Sequence, residues 1–278
     1  MSSFNRTDDV TSILEEATAE IILPRFRRIR DDEVHEKAPG DLVTIVDHEV
    51  EALMEQRLPS LLPGSRVIGE EGTAAHPALL ESLNDGWVWL VDPLDGTRNF
   101  VNGVADFATM VALLHDGVPQ HAWIYSPATA SMAYAERDGG AWWNGDRITF
   151  NETPTTLRGN VHTRFLPATW PETIRQRAAG RAELFPPCGS AGVTYPLLLQ
   201  RDIEFILYWR TLPWDHVPGA LMIQEAGGHV ARLDGRRYVP LEKLHGLLVA
   251  VNEEVWHRAS SLLPDSAGEP YGRNIGKQ

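Results

Sequence analysis

Residues 89–97 read WLVDPLDGT, and this stretch places two carboxylates, Asp92 and Asp95, three positions apart at the end of an apolar run. The run from 87 to 91 combines aromatic and β-branched residues and predicts a buried strand, which the proline and glycine that follow are expected to end. Thr97 then begins a predicted helix, where free backbone N–H groups and the helix dipole favour an anion such as phosphate. The stretch therefore predicts a turn that offers both hard oxygen ligands and an anion site.

Acidic residues also stand at the ends of two other predicted elements. Glu70 and Glu71 follow a short apolar strand beside glycines, and Asp215 lies near the start of a predicted helix that ends before Gly227 and Gly228. Each carboxylate taken alone is explained as a turn or helix cap. If the three places converge, carboxylates at close range need cations to stay ionised. Oxygen ligands without a histidine or cysteine cluster favour magnesium or manganese over zinc.

The order of these acidic blocks resembles that of the inositol monophosphatase family, whose members are magnesium-dependent, lithium-sensitive phosphomonoesterases. The most specific block is Asp-Pro-x-Asp-Gly-Thr, which leaves only one of six positions open. The resemblance extends from about Lys37 to Gly228, and it implies a layered sandwich of an α+β half and an α/β half with alternating helix and sheet layers. The matching blocks are DLVT at 41–44 with Asp47, GEE at 69–71, DPLDGT at 92–97 with NF at 99–100, WD at 214–215 and EAGG at 225–228.

The resemblance also implies which residues bind the metal. Glu70, Asp92 and the backbone carbonyl of Leu94 would hold one magnesium ion, while Asp92, Asp95 and Asp215 would hold a second. Two or three ions per active site are expected. Two ions about 3.5–4 Å apart stabilise the attacking and the leaving oxygen of an in-line displacement, which suits hydrolysis of a phosphate ester.

A second set of residues is implied to carry out the proton transfer and to bind the phosphate. Glu71 and Thr97, oriented by Asp47, would position and deprotonate the attacking water. The backbone N–H groups of Gly96 and Thr97 would hold the phosphate oxygens. Lys37 has two interpretations: it belongs to the outer shell of a weaker third metal site, or it is a solvated surface lysine.

The residues around the leaving group determine which phosphate ester is hydrolysed. Tyr208 occupies the position where inositol-specific members carry a glutamate, and a phenol bonds a hydroxyl without the charge assistance of a carboxylate. Arg210 adds a cation nearby, and His216 is interpreted either as a neutral helix-start residue or as a substrate contact. Further substrate contacts are implied for Asp95, Ser190, Ala191 and Asp215.

The resulting functional prediction is magnesium-dependent hydrolysis of a small-molecule phosphate monoester, of the inositol-1-phosphate phosphatase type. Histidinol phosphate, fructose 1,6-bisphosphate and other sugar or nucleotide phosphates are the alternative substrates. A non-catalytic binding or regulatory protein with the family fold is a more distant alternative, because every metal-ligand position keeps its carboxylate.

Whole-chain properties narrow the partners and the compartment. The chain has 278 residues and a net charge of −13, with 38 acidic against 25 basic residues, which disfavours a nucleic-acid backbone as a partner. The first nine residues lack the apolar core of a signal peptide, and no apolar run reaches membrane-spanning length. The single cysteine, Cys188, suits a reducing compartment. The sequence therefore predicts a cytoplasmic protein without a membrane partner, and the family resemblance implies a homodimer.

Hydrophobic periodicity predicts two halves, residues 1–152 with most of the metal ligands and residues 153–278 completing the site, joined near residues 153–156. The first half is expected to hold two helices, the first interrupted at Pro24, and an antiparallel meander. In the second half, strand and helix signals alternate. The predicted helices are 7–30, 44–61, 171–179 and 193–199, and the predicted strands outside the acidic blocks lie near 107–114, 119–125, 132–136, 141–143, 203–208 and 246–251.

Overall fold

Two helical segments begin the chain in the computed structural model, which describes residues 4–242 and 244–265. Helix α1 (Thr7–Ala17) continues through a π-helical turn, Thr18–Ile22, into the short α2 (Leu23–Arg25). The predicted interruption at Pro24 thus takes the form of a wider turn just before it, because the proline ring cannot fit against the carbonyl one turn back. The predicted extension to residue 30 is wrong: Phe26 leaves the helix and packs on two other phenylalanine rings.

A hairpin and a long helix follow. Strands β1 (Val34–Ala38) and β2 (Asp41–Thr44) pair antiparallel, and they lead into α3 (Ile45–Leu61). Thr44 caps this helix by accepting a bond from the Val46 N–H, while the Asp47 carboxylate accepts one from the Thr44 N–H. Because of this reciprocal capping box, Thr44, the last residue of the DLVT block, both ends strand β2 and caps helix α3.

The first sheet has seven strands in the order β3-β4-β5-β6-β7-β8-β9, with β3 parallel to β4 and every other neighbouring pair antiparallel. The predicted meander is confirmed, with strand ends within one residue of expectation, and β9 is an additional edge strand. Between β3 and β4 lie α4 (Glu70–Ala75) and a 3₁₀ segment, Pro77–Asn84. The strands are β3 (Arg66–Gly69), β4 (Trp87–Asp95), β5 (Ala108–His115), β6 (Val118–Ser126), β7 (Ser131–Glu136), β8 (Gly140–Trp143) and β9 (Asp146–Ile148).

Strand β4 runs further than predicted. It was expected to end at Val91, but it pairs with β5 as far as Asp95, with an irregularity in the register between Asp92 and Asp95. Pro93 lies inside this irregularity, where its missing N–H removes no regular ladder bond. The Thr109 hydroxyl of β5 donates to the Pro93 carbonyl at 3.0 Å. The two aspartates are therefore held by the sheet itself and not by a free loop.

The second sheet combines parallel and antiparallel pairs in the order β11-β10-β12-β14-β13. Its strands β12 and β14 and its helices α6 and α7 begin and end within about two residues of the predicted segments, whereas β10, β11, β13 and α9 had no clear sequence signal. The elements are β10 (Arg158–Val161), α6 (Trp170–Ala178), β11 (Glu183–Phe185), α7 (Ala191–Leu199), β12 (Phe205–Tyr208), α8 (Pro213–Glu225), β13 (His229–Ala231), β14 (Leu247–Ala250) and α9 (Glu253–Ser260).

Helices and sheets alternate in layers, as predicted. Because side chains alternate across a strand, Trp89 and Val91 of β4 face α1 and α3, while Val88 and Leu90 join a second core with α7 and α8. The second sheet packs on the other side of this helix pair and has α9 on its outer side. The division at residues 152 and 153 stays a prediction. None of the helices in the described ranges is both long enough and apolar enough to cross a bilayer.

Candidate active site

Three carboxylates from separate elements meet at one point. Glu70 begins α4, Asp92 lies at the register irregularity of β4, and Asp215 is in the first turn of α8. One oxygen from each lies within 4.8 Å of the other two. The three acidic blocks therefore converge, and the geometry is that of a candidate cation site.

The electrostatics of this cluster require a positive charge. Asp92 is 1% exposed, and burial, followed by the charges of Glu70, Asp95 and Asp215, raises its pKa well above the usual range. Burial and the charges of Asp95 and Glu70 raise the pKa of Asp215 in the same direction. Carboxylates this close together hold protons tightly unless a cation compensates their charge, and hard oxygen ligands of this kind fit a divalent cation such as magnesium or manganese.

Asp95 lies beside the cluster and is held from the other side. Its Oδ2 accepts the Ser190 hydroxyl at 2.5 Å and the Gly192 N–H at 2.6 Å, and the Ala191 N–H also bonds to this carboxylate. The predicted backbone ligand, the carbonyl of Leu94, accepts the Thr97 hydroxyl at 3.0 Å and keeps a second lone pair. The Ser190 hydroxyl therefore bonds to Asp95, and it does not line the cavity in which the leaving group was expected to contact it.

Asp47 contacts Thr97, the residue that the family resemblance assigns it to orient. The Thr97 Oγ1 lies 3.1 Å from Asp47 Oδ1, and Asp47 Oδ2 accepts both the N–H and the hydroxyl of Thr44. Burial is the largest effect on Asp47 and, together with the charge of Glu71, raises its pKa to about 7. The bonds from Thr44 work in the opposite direction. Asp47 therefore holds the Thr97 hydroxyl beside the acidic cluster.

Lys37 is part of the site. Its Nζ lies 2.7 Å from Glu70 Oε1 and 2.8 Å from Glu71 Oε1, and its side chain is only 17% exposed. The interpretation of Lys37 as a solvated surface residue is therefore wrong. Burial works to lower the pKa of Lys37, but the two carboxylates outweigh it and raise that pKa. The β1–β2 hairpin is the element that brings this ammonium to α4.

Glu51 is a site residue that sequence reasoning missed. Its carboxylate accepts the Glu71 N–H at 2.9 Å and the Gly72 N–H at 2.6 Å, so it holds the start of α4. A Cβ at Gly69 would stand 2.2 Å from the Glu51 carboxyl carbon, which explains why a glycine precedes the two glutamates. The signal available in the sequence is that Glu51 follows Asp47 by four residues and so shares its helix face.

The predicted phosphate corner has a tight backbone. Gly96 has a φ of 92°, and a Cβ there would stand 2.7 Å from the carbonyl oxygen of Asp106, so only glycine fits. Helix α5 (Thr97–Val101) starts immediately afterwards. Gly96 and Thr97 line a cavity together with Asp92, Asp95 and the other residues of the acidic cluster. The N–H groups predicted to hold phosphate therefore lie beside the candidate cation site.

A second cavity adjoins the first and contains the predicted leaving-group residues. Tyr208 is 3% exposed, and its ring centroid lies 4.4 Å from that of His162 and 4.5 Å from that of His216. Burial lowers the pKa of these histidines to about 4 and about 3, so both are neutral. His216 Nε2 lies 3.0 Å from the Arg210 carbonyl and therefore donates, and Nδ1 accepts from the Tyr195 hydroxyl. These bonds favour the helix-start interpretation of His216, although its ring also lines the cavity with Ala191.

Comparison with known proteins gives one consistent result. The model of the inositol monophosphatase family matches residues 7–263. An inositol-1-monophosphatase from Rhizobium meliloti is 31% identical over 245 residues, which cover 83% of this chain and 85% of the relative. The Nus factor SuhB of Vibrio cholerae is 31% identical over 206 residues, 72% of this chain and 75% of the relative. The solved structure of an inositol monophosphatase from Thermotoga maritima superposes with a TM-score of 0.77 at 23% identity, covering 92% of this chain and 97% of that one.

The family match spans nearly all of the described residues, and it includes every carboxylate of the candidate cation site. The alternation of helix and sheet layers agrees with the superposed structure. The chain therefore belongs to the inositol monophosphatase family of phosphomonoester hydrolases.

Proposed function

We propose that this protein hydrolyses small-molecule phosphate monoesters with magnesium, in the manner of an inositol-1-phosphate phosphatase. The observation that carries the proposal is the convergence of Glu70, Asp92 and Asp215 within 4.8 Å, next to Asp95. The relative from Rhizobium meliloti, which bears the name inositol-1-monophosphatase, supports the same reaction class.

The residues of the acidic cluster divide into two ligand sets. Glu70, Asp92 and the Leu94 carbonyl would hold one ion, and Asp92 would share in a second with Asp95 and Asp215. A third, weaker ion near Lys37 is part of the proposal. When bound, the ions neutralise the phosphate charge and stabilise the attacking and leaving oxygens. Asp92, the most buried member, is the residue on which both sets depend.

The chain's own side chains and amides supply the remaining chemistry. Glu71 accepts a proton from the attacking water, and Thr97, held by Asp47 at 3.1 Å, orients that water. The N–H groups of Gly96 and Thr97 hold two phosphate oxygens. The water oxygen forms a bond to phosphorus while the bond to the ester oxygen breaks, and the expelled alkoxide takes up a proton from solvent water and leaves as the alcohol. Lys37, bonded to Glu71, holds the base in place until then.

The residues of the leaving-group cavity are compatible with several leaving alcohols. Inositol 1-phosphate is the reference substrate, and histidinol phosphate, fructose 1,6-bisphosphate and other sugar or nucleotide phosphates are the alternatives. Asp95, Asp215 and Ala191 line this cavity together with Tyr208, while Ser190 acts through Asp95. The ring of Tyr208 packs against two neutral histidines, so this part of the wall offers a polyol hydrogen bonds and aromatic surface, and the carboxylates of the cavity are those of Asp95 and Asp215.

A regulatory role is the second candidate function, because a relative at 31% identity carries the name Nus factor. The net charge of −13 disfavours direct contact with a nucleic-acid backbone. Turnover of a phosphate ester distinguishes the phosphatase from the regulatory protein, since a protein that only binds a partner needs no intact cation site. A cytoplasmic location, a homodimer and inhibition by lithium complete the proposal as family expectations.

The test is hydrolysis of an aryl phosphate and of inositol 1-phosphate by the wild type and by Asp92→Asn, with and without magnesium. We expect turnover only with the ion, and none in the variant, together with loss of the magnesium-induced rise in melting temperature. Asp138→Asn, at an exposed turn, is the control and should behave as wild type. Near wild-type turnover by Asp92→Asn at saturating magnesium would refute the proposal.

A further inference from the structure

Arg232, the residue that follows β13, is a buried cation without an acidic partner. Its side chain is 2% exposed, and within residues 4–242 and 244–265 no carboxylate oxygen lies within 4 Å of its nitrogens. Burial lowers the pKa of Arg232, because a guanidinium loses its hydration in the interior. A buried charge is tolerated only where polar groups of the protein replace the water. The hydrogen bonds of Arg232 therefore show what this cation holds together.

The two terminal nitrogens of Arg232 join two distant parts of the chain. Nη1 donates to the Thr211 hydroxyl at 3.0 Å. The other four acceptors are backbone carbonyls of the loop before β14, at 3.0–3.4 Å, and they belong to Val239, Glu242, Leu244 and Gly246. The ring centroid of Tyr238 lies 4.8 Å from the guanidinium carbon and orients its plane. Arg232 thus ties this loop to Thr211.

Thr211 lies immediately before the helix that carries Asp215. The N-cap residue of α8 is Leu212, and its apolar side chain cannot accept the free N–H groups of the first turn. The start of this helix is therefore not fixed by a side-chain cap. The Thr211 hydroxyl, which accepts from Arg232, also donates to the Leu244 carbonyl at 2.8 Å. These two bonds anchor the segment that enters α8 from outside the helix.

A small shift of the start of α8 would disturb the candidate cation site. One oxygen of Asp215 lies within 4.8 Å of one oxygen each of Glu70 and Asp92, which belong to two other elements. Magnesium demands near-ideal octahedral geometry, so its affinity depends on where each ligand element is held. Ligand atoms have to be kept within about 0.5 Å of their productive positions. Whatever anchors the start of α8 therefore contributes to metal affinity.

We propose that Arg232 is a positioning residue of this enzyme: through Thr211 it fixes the start of α8 and thereby holds Asp215 in place for the cation. The proposal rests on the phosphatase function proposed above. In the part of the chain that the structure describes, Arg232 is not among the residues that line the two active-site cavities. It therefore acts through Thr211 and the loop, without contact to the ion or the substrate.

Two variants weaken this link and keep the buried charge. Arg232→Lys retains a cation but loses the planar fork that reaches five oxygens. Thr211→Val removes only the hydroxyl and keeps the branched shape of the side chain, while the Leu244 carbonyl still accepts from Arg232. Arg236→Gln is the matched control, because it removes an arginine of the same turn that is 56% exposed and pairs with Asp234.

The measurements are magnesium binding by calorimetry without substrate, and the magnesium concentration that gives half-maximal hydrolysis of an aryl phosphate. We expect Arg232→Lys to weaken both by about 10–100-fold, the usual effect of losing a group that orients a metal ligand. Thr211→Val should weaken both by about tenfold, the value of one bond to a charged group, and Arg236→Gln should match wild type. In both link variants kcat at saturating magnesium should fall less than the affinity, because the bound ion favours the intact site.

Thermal melting in a chelator separates positioning from a purely structural role. A lower melting temperature with unchanged magnesium affinity in both link variants would show that Arg232 only stabilises the fold, and it would overturn the inference. If Arg232→Lys does not fold, Thr211→Val decides, and wild-type magnesium affinity in that variant would overturn the inference. Failure of the wild type to hydrolyse any phosphate ester would overturn the phosphatase function, whereas calorimetry would still report whether Arg232 supports the cation site.

Discussion

Replacing Glu51 by glutamine tests the residue that holds the start of α4 in the active site. Glu51 is 4% exposed and accepts the N–H groups of Glu71 and Gly72. Burial raises its pKa to about 7, against the effect of those two bonds. Glutamine has the shape of the acid and cannot ionise, but its NH2 group cannot accept the second of these two N–H bonds.

The magnitude follows from the pKa. Because the folded protein holds the Glu51 proton more tightly than the unfolded chain, stability from this group is present below about pH 4.5 and is lost as the pH rises through about 7. The rise from 4.5 to about 7 corresponds to about 3 kcal/mol. We therefore expect Glu51→Gln to be less stable than wild type by about 1–3 kcal/mol at pH 5, because one buried N–H loses its acceptor. By pH 8 the difference should shift by about 3 kcal/mol in favour of the variant.

The assay is urea unfolding at pH 5 and pH 8 in the presence of a chelator, followed by the fluorescence of the nine tryptophans. The chelator is needed because a bound ion stabilises the folded state by mass action. Other groups that titrate in this range do so in both proteins and cancel in the difference. Glu20→Gln, exposed on the π-helical turn after α1 and not among the charges that act on Glu51, is the control and should leave the change in stability between the two pH values as in wild type. An equal stability difference at both pH values would refute the argument.

Three further outcomes are expected. Glu71→Gln should spare magnesium binding, measured by calorimetry, while turnover falls by about 10²–10⁴-fold, the usual contribution of a general base; turnover near the wild-type rate would exclude Glu71 as the base. Tyr208→Glu should raise kcat/KM for inositol 1-phosphate about tenfold relative to other phosphate esters, and an unchanged ranking of substrates would show that Tyr208 does not face the leaving group. Sedimentation at micromolar concentration should give twice the chain mass of 31.0 kDa, and a stable monomer would contradict the dimer.

Local sequence was sufficient for most of the elements and for the ligand types. The meander was predictable because strand alternation and glycine turns act over a few residues, and these signals alternate clearly between 107 and 145. The acidic blocks at 70–71, 92–95 and 215 were predictable as a site because each ends or begins an element. The end of strand β4 was predicted wrongly. A proline ends a strand only where the ladder needs its N–H, and Pro93 lies at an irregularity of the pairing where no N–H is needed.

Tertiary structure alone decided the surroundings of that site. Glu51 meets the amides of Glu71 and Gly72 because α3 packs beside β3, and no propensity connects positions twenty residues apart. Lys37 reaches Glu70 through the register of the β1–β2 hairpin, a contact that depends on pairing between segments and not on either segment alone.

Three arginines that line the cavity beside the acidic cluster show the same division. Arg98, Arg164 and Arg210 belong to three segments that are separated by more than forty residues each, and only the packing of the two sheets around α7 and α8 brings them to one cavity. Residue types and their local spacing therefore determined the chemistry available to this protein. The folded contacts determined which charges face one another, because Coulomb interactions depend on distance in space and not on separation along the chain.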